Sequence, residues 1–195
     1  MSRELEFFFD VGSPASYLAW TQVPGLCQRT GATLHYRPML LGGVFKATGN
    51  ASPAAVPAKG RYSGQDMQRF ARRYGVTLTM NPHFPVNTLV AMRLATAAVD
   101  SDQRDTVLAA LFEGLWLQEK NLADVDVLGR ALADAGLDPE DWAARAQEQA
   151  VKDRLKATTE EAVARGVFGA PTFFVGDEMF FGQDRLDFVE DALRT

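Results

Sequence analysis

The chain contains one cysteine, Cys27, and two histidines, His35 and His83, among 195 residues. A single cysteine excludes an internal disulfide, a C-x-x-C redox pair and a cysteine-ligated zinc site. Two lone histidines far apart in sequence do not make a metal centre. There is no excess of positive charge: 20 Lys and Arg face 25 Asp and Glu, for a formal net charge of −5. That balance disfavours nucleic acid as the main partner, because phosphate binding needs a concentrated basic face. It leaves room for a local basic pocket that takes a small anion. No apolar run reaches the length of a membrane span. The N-terminus, MSRELEFFFDVGSP, meets an acid before any long apolar stretch and does not read as a secretory signal. No membrane partner is expected, and the expected location is the cytoplasm. Internal repeats and low-complexity segments are absent.

What is present is ordinary globular composition, 47% hydrophobic and 23% charged, in a length that allows one core or a core with an inserted lobe. Residues 5–10 (LEFFFD) read as a strand buried on both faces. Ser13 followed by Pro14 fits an N-cap and first helical position, opening a helix over 14–30 that stops at Gly31. Residues 33–38 (TLHYRP) read as a second strand, completing a βαβ unit. Residues 39–64 are rich in Gly, Pro, Ala and Ser and read as a long functional loop with a short helical piece. Helical pattern then runs from 65 to 164, in segments 65–74, 87–100, 104–118, 126–135, 139–149 and 152–165. Strands at 172–175 and 178–181, joined by a Gly176-Asp177 turn, and a helix over 183–193 complete the chain. The expected class is α/β: a thioredoxin-like fold, βαβ…ββα, with a large all-helical insertion. Residues 1–39 and 165–195 form the thioredoxin-like domain, and 40–164 the inserted loop and helical domain.

Three places carry candidate chemistry. Ser13-Pro14-Ala15-Ser16 lies where a thioredoxin fold holds C-P-x-C, at a helix start whose free N–H groups and dipole favour a thiolate. Serine stands at both cysteine positions, so a thiol must come from outside, as from a glutathione held beside Ser13. The alternative is a plain helix cap. Gly169-Ala170-Pro171-Thr172 lies at the cis-proline position, where the backbone of Ala170 can pair with a cysteinyl peptide. The alternative is a trans proline opening a strand. Gln183 and Asp184, at the last helix start, can hold the γ-glutamyl group, or Asp184 can simply be a first-turn acid.

Four separated stretches carry a family resemblance: FFFDVGSPASYLA at 7–19, LLGGVFKATGN at 40–50, NPHFPVNTL at 81–89 and FGAPTFFVGDEMFFGQDRLDFV at 168–189. In these the chain resembles the 2-hydroxychromene-2-carboxylate isomerases, glutathione-dependent enzymes of naphthalene-type aromatic catabolism related to kappa-class glutathione transferases. The resemblance covers nearly the whole chain. It implies glutathione as cofactor, with Ser13 beside its sulfur and Ala170, Pro171, Gln183 and Asp184 along its peptide. It implies Lys46, Asn50 and Lys59 near the bound ligands. The substrate it implies is a small aromatic keto or hydroxy acid, opened and isomerised to trans-o-hydroxybenzylidenepyruvate, and a homodimer is allowed for. A carboxylate substrate wants a cation and a donor at the mouth of an apolar pocket. Lys46 and Asn50 meet that need, and Phe45, Phe84 and Trp116 offer an aromatic wall. Surface lysines and core aromatics are the alternatives. A kappa-like transferase or peroxidase, or a non-catalytic thioredoxin-fold binding protein, are the competing functions. His83 stands in a loop that can approach the pocket. Cys27 reads as apolar filling, and Asp10 as a tie for the Ser13 loop.

Overall fold

The computed structural model describes residues 3–195. Strand β1 (Glu4–Phe9) lies at the centre of a four-stranded mixed sheet, with β2 (Thr33–Pro38), β3 (Thr172–Val175) and β4 (Glu178–Phe181) in the order β2-β1-β3-β4. β1 and β2 are parallel, while β1 with β3 and β3 with β4 are antiparallel. The register sets Phe7 between Tyr36 and Phe173, and Phe8 between Arg37 and Thr172.

Both faces of the central strand are buried, as its unbroken apolar run requires. Strand side chains alternate faces. Phe7 and Phe9 therefore point to one side, where Phe7 stacks on Phe173 at 5.2 Å and on Phe9 at 5.0 Å. Helix α1 (Pro14–Thr30) and helix α5 (Arg104–Trp116) cover that face. Phe8 points to the other side with Phe174, Met39, Val44, Ala162 and Val167. Removing any one of the fully buried phenyl rings is expected to cost about 3–5 kcal/mol.

α1 has the expected bounds. The Ser13 hydroxyl accepts the Ser16 N–H, and Gly31 closes the helix at φ 70 with its N–H on the Cys27 carbonyl. A side chain would strain that left-handed turn.

The long loop expected over 39–64 is mostly helical, which is a correction. It holds α2 (Leu41–Thr48), a 3-10 turn (Pro53–Ala55) and the first turns of α3 (Pro57–Tyr74). Five glycines and two prolines in 42–64 hide the helical pattern, because both residues are poor helix formers. Pro57 opens α3 at a first-turn position, where its missing N–H costs nothing. Gly60 sits in a tight approach, where a Cβ meets the Ala54 Cα at 3.3 Å and would press the backbone of the 3-10 turn.

The helical region continues through α4 (Leu89–Ala98), α5, α6 (Val125–Asp134), α7 (Pro139–Gln147) and α8 (Gln149–Ala164). The last expected helix divides into a 3-10 turn (Gln183–Arg185) and α9 (Leu186–Arg194). Among the described residues no helix is long and apolar enough to cross a membrane.

Candidate functional site

β1 delivers the chain directly to the start of α1. Asp10, the residue after the strand, is buried and organises the turn. Its Oδ1 accepts the Gly12 N–H at 2.9 Å. Its Oδ2 accepts the Leu41 N–H at 2.9 Å and the Thr88 hydroxyl at 3.1 Å. One carboxylate thus joins the Ser13 loop to the starts of α2 and α4. Burial pushes the Asp10 pKa above its ordinary value, and the three hydrogen bonds oppose that rise. Gly12 is confined as well, because a Cβ there meets the Thr88 methyl at 2.7 Å.

Ser13 is held on both sides. Its Oγ accepts the Ser16 N–H at 3.1 Å and donates to the Ala170 carbonyl oxygen at 3.0 Å. The helix cap is therefore real, and the same hydroxyl also reaches the proline turn. The Ala170-Pro171 peptide is cis, and a second cis peptide joins Phe84 to Pro85. The sequence does not announce the second one. The turn is closed by the Thr172 hydroxyl, which donates to the Gly169 carbonyl at 2.9 Å, and by the Gly182 N–H on the Pro171 carbonyl at 3.0 Å.

The residues at this locus fit a peptide thiol from outside. Among the described residues neither the Ala15 N–H nor the Ala170 N–H has an intramolecular acceptor. The Ser16 hydroxyl is fully buried and has no partner among the described residues. A helix start with open N–H groups attracts an anion, and an open backbone donor at Ala170 suits strand-like pairing. Gln183 is buried, its carbonyl accepts the Tyr74 hydroxyl at 2.7 Å, and its side chain makes no hydrogen bond among the described residues. Asp184 pairs with its neighbour Arg185 at 3.0 Å.

The substrate-side residues divide. Asn50 is tied to the site: its Nδ2 donates to the Phe168 carbonyl at 2.8 Å, two residues before Ala170, and its Oδ1 accepts the Ala51 N–H. Lys46 lies exposed in the last turn of α2, and Lys59 exposed in the first turn of α3. Phe84 is half-buried against Trp116, with ring centroids 6.0 Å apart. Trp116 corrects the aromatic-wall expectation. It is 1% exposed, and its indole N–H donates to the Val11 carbonyl at 2.8 Å. Buried and bonded in this way, it supports the Ser13 loop from below. His83 is exposed, with its backbone N–H on the Asn81 side chain. The Cys27 thiol is buried, and burial pushes its pKa up to about 11.

A separate cleft of about 420 Å³ lies along the β2 edge, lined by His35, Arg37, Asp100, Arg104 and Arg154 among others. Its arginines are already matched: Arg154 with Asp100, Arg104 with Asp105, and Arg37 with Glu6 and Glu161. It offers no unneutralised charge to a ligand, unlike the Ser13 locus with its open donors.

A family model of a DSBA-like thioredoxin domain matches residues 4–194. A 2-hydroxychromene-2-carboxylate isomerase of Sphingobium xenophagum is 33% identical over 195 residues, covering 99% of each chain. A glutathione S-transferase kappa 1 of Caenorhabditis elegans is 30% identical over 204 residues, covering 97% of this chain and 90% of its own. The solved structure of a 2-hydroxychromene-2-carboxylate isomerase superposes with a TM-score of 0.86 at 30% identity, covering 97% of this chain and 94% of that one.

Proposed function

This chain belongs to the DsbA-like thioredoxin family and, within it, to the 2-hydroxychromene-2-carboxylate isomerases, and on that footing we propose that it is a glutathione-dependent isomerase. It converts 2-hydroxychromene-2-carboxylate to trans-o-hydroxybenzylidenepyruvate. The observation that carries the reading is the Ser13 hydroxyl, standing where a redox sulfur belongs and bonded to Ala170.

When bound, glutathione supplies the thiolate nucleophile that a C-P-x-C motif otherwise provides, and it is regenerated. The chain's own residues do the rest. Ser13 turns its hydroxyl from the Ala170 carbonyl toward the incoming sulfur and donates to it. The α1 N-terminus adds a favourable field for that anion. The Ala170 backbone holds the cysteinyl peptide in register. Gln183 and Asp184 hold the γ-glutamyl end. Lys46 and Asn50 orient the substrate carboxylate and hydroxyl, which removes rotational freedom before the chemistry. Lys59 and Phe84 flank the same ligands.

The thioredoxin-like unit, 1–39 with 165–195, thus serves the cofactor, and the insertion, 40–164, serves the aromatic acid. The same reading places the chain in the cytoplasm, in aromatic breakdown, and allows for a homodimer. The test is absorbance-monitored turnover of the chromene acid with and without glutathione, alongside chlorodinitrobenzene. The isomerase reading expects turnover of the acid that depends on glutathione and leaves its concentration unchanged. Stoichiometric loss of glutathione to the chlorinated substrate, without isomerisation, would instead identify a transferase.

A further inference from the structure

The net charge of −5 conceals a strong segregation. Residues 11–99 hold nine Lys and Arg and a single acid, Asp66, whereas residues 100–195 hold ten Lys and Arg and 21 acids. The first stretch carries +8 and the remainder of the chain −13. Three of the nine cations are matched: Arg29 with Glu190, Arg37 with Glu6 and Glu161, and Arg69 with Asp66. Among the described residues Lys46, Lys59, Arg61, Arg72, Arg73 and Arg93 have no ion-pair partner. All but Arg93 are exposed, and these five lie on α2 and α3.

That cationic stretch is moored to the Ser13 locus. α2 starts at Leu41, whose N–H is held by Asp10. Just past α2, Asn50 is bonded to the Phe168 carbonyl. At the far end of α3, Tyr74 donates to the Gln183 carbonyl. Just beyond it, the Thr77 carbonyl accepts the Tyr17 hydroxyl of α1 at 2.8 Å. The unmatched cations therefore stand on a segment fastened on either side to the elements that carry Ser13, Ala170 and Gln183. The half-buried side of α3 packs inward, and Lys59, Arg61, Arg72 and Arg73 face water.

Exposed like charges repel and destabilise the compact state, so a concentration of them beside the Ser13 locus calls for a compensating role. Both ligands of the proposed reaction are anions: glutathione carries a net −1 with its thiol protonated, and the chromene acid a carboxylate. We infer that the exposed cationic face of α2 and α3 is a collecting field, which draws these anions to the Ser13–Ala170 locus and sets their rate of arrival. The inference rests on the glutathione reading above and adds to it a role for residues outside the site. Clefts lined by charge of one sign raise association rates by about 10- to 1,000-fold; an open face with Asp184 and Asp187 close to Tyr74 at one end belongs at the low end of that range. The field reaches roughly 10 Å at 0.1 M salt and about 3 Å at 1 M.

The test uses the R61Q/R72Q/R73Q variant, whose substitutions fall outside the residues assigned to ligand contact. Glutathione association is followed by stopped-flow tryptophan fluorescence. Trp116 is bonded to Val11, two residues before Ser13, and reports on that loop. At about 0.01 M ionic strength the variant is expected to bind glutathione roughly fivefold more slowly than the parent, and the two rates converge near 0.5 M. Dissociation and kcat stay within about twofold, as expected for charges that act on encounter. Glutathione diethyl ester, a net cation, reverses the order, and the variant binds it faster. The double variant R61Q/R72Q moves both rates in the same directions by less, which separates a field from a folding defect. Equal rates for parent and variant at low salt, with glutathione binding intact, overturn the collecting field alone. Absence of glutathione binding by the parent at any salt overturns the cofactor reading and this inference with it.

Discussion

The Ser13 hydroxyl donates to the Ala170 carbonyl across 3.0 Å, joining residues 157 positions apart at the meeting of the two halves of the sheet domain. The same oxygen accepts the Ser16 N–H that opens α1. One atom therefore caps a helix and clasps the proline turn, at the place proposed for the glutathione thiol.

Replacing Ser13 separates those duties. Ser13→Ala loses the cap and is expected to cost about 1 kcal/mol of stability. Removing a donor from a developing or resident anion costs about 100- to 1,000-fold in kcat. Ser13→Thr keeps the hydroxyl and retains most of the rate. Denaturant unfolding and turnover at saturating glutathione measure the two effects independently. Unchanged kcat in Ser13→Ala contradicts the assigned role.

Asp10 carries a pH signature. Asp10→Ala leaves the Gly12 and Leu41 N–H groups and the Thr88 hydroxyl without their acceptor, an expected loss of about 2–4 kcal/mol at neutral pH. Because burial raises the native pKa above 3.8, the folded state binds this proton more tightly than the unfolded state. Its stabilising contribution is complete below 3.8, is lost as pH rises through the native value, and is constant above it. The stability difference between the parent and Asp10→Asn, which cannot titrate, should fall with rising pH in urea unfolding at pH 3–8. A difference that grows with pH contradicts this.

Asn50→Ala breaks the bond to Phe168 at an exposed position, so a stability loss below about 1 kcal/mol is expected. Loosening the segment that carries Lys46 and Lys59 should raise KM for the aromatic acid about five- to tenfold, with a smaller effect on kcat. Steady-state kinetics with the acid varied provides the check.

Cys27 should be inert. A buried thiol with a pKa near 11 holds almost no thiolate at pH 8. Ellman's reagent is expected to find no reactive thiol in the native protein over minutes, and one per chain after denaturation. Catalysis should survive Cys27→Ala, because the proposed nucleophile is the glutathione thiol and not this one.

Local chemistry made part of this molecule legible in its sequence. Ser13-Pro14 and Gly31 are strong start and stop signals, so α1 follows from them directly. The apolar run of β1 declares its two-sided burial. The first turns of α3 are hidden, because Gly60 answers to Ala54 rather than to helix propensity. Asp10 reads as a tie for the Ser13 loop, but its bonds to Leu41 and Thr88 depend on tertiary placement that no spacing encodes. Trp116 offers an aromatic ring in sequence, and only its bond to Val11 reveals it as support beneath the loop. Net charge concealed the basic stretch, since a sum over the chain averages away the contrast between 11–99 and 100–195.

The acidity of the glutathione thiol on the protein tests the borrowed-sulfur account most directly. Thiolate absorbance near 240 nm, followed against pH with saturating protein, gives its midpoint. An ordinary thiol titrates at about 8.5. The account predicts a midpoint at least one unit lower on the parent protein, returning upward in Ser13→Ala. A midpoint unmoved by binding, or equally lowered without the Ser13 hydroxyl, contradicts it.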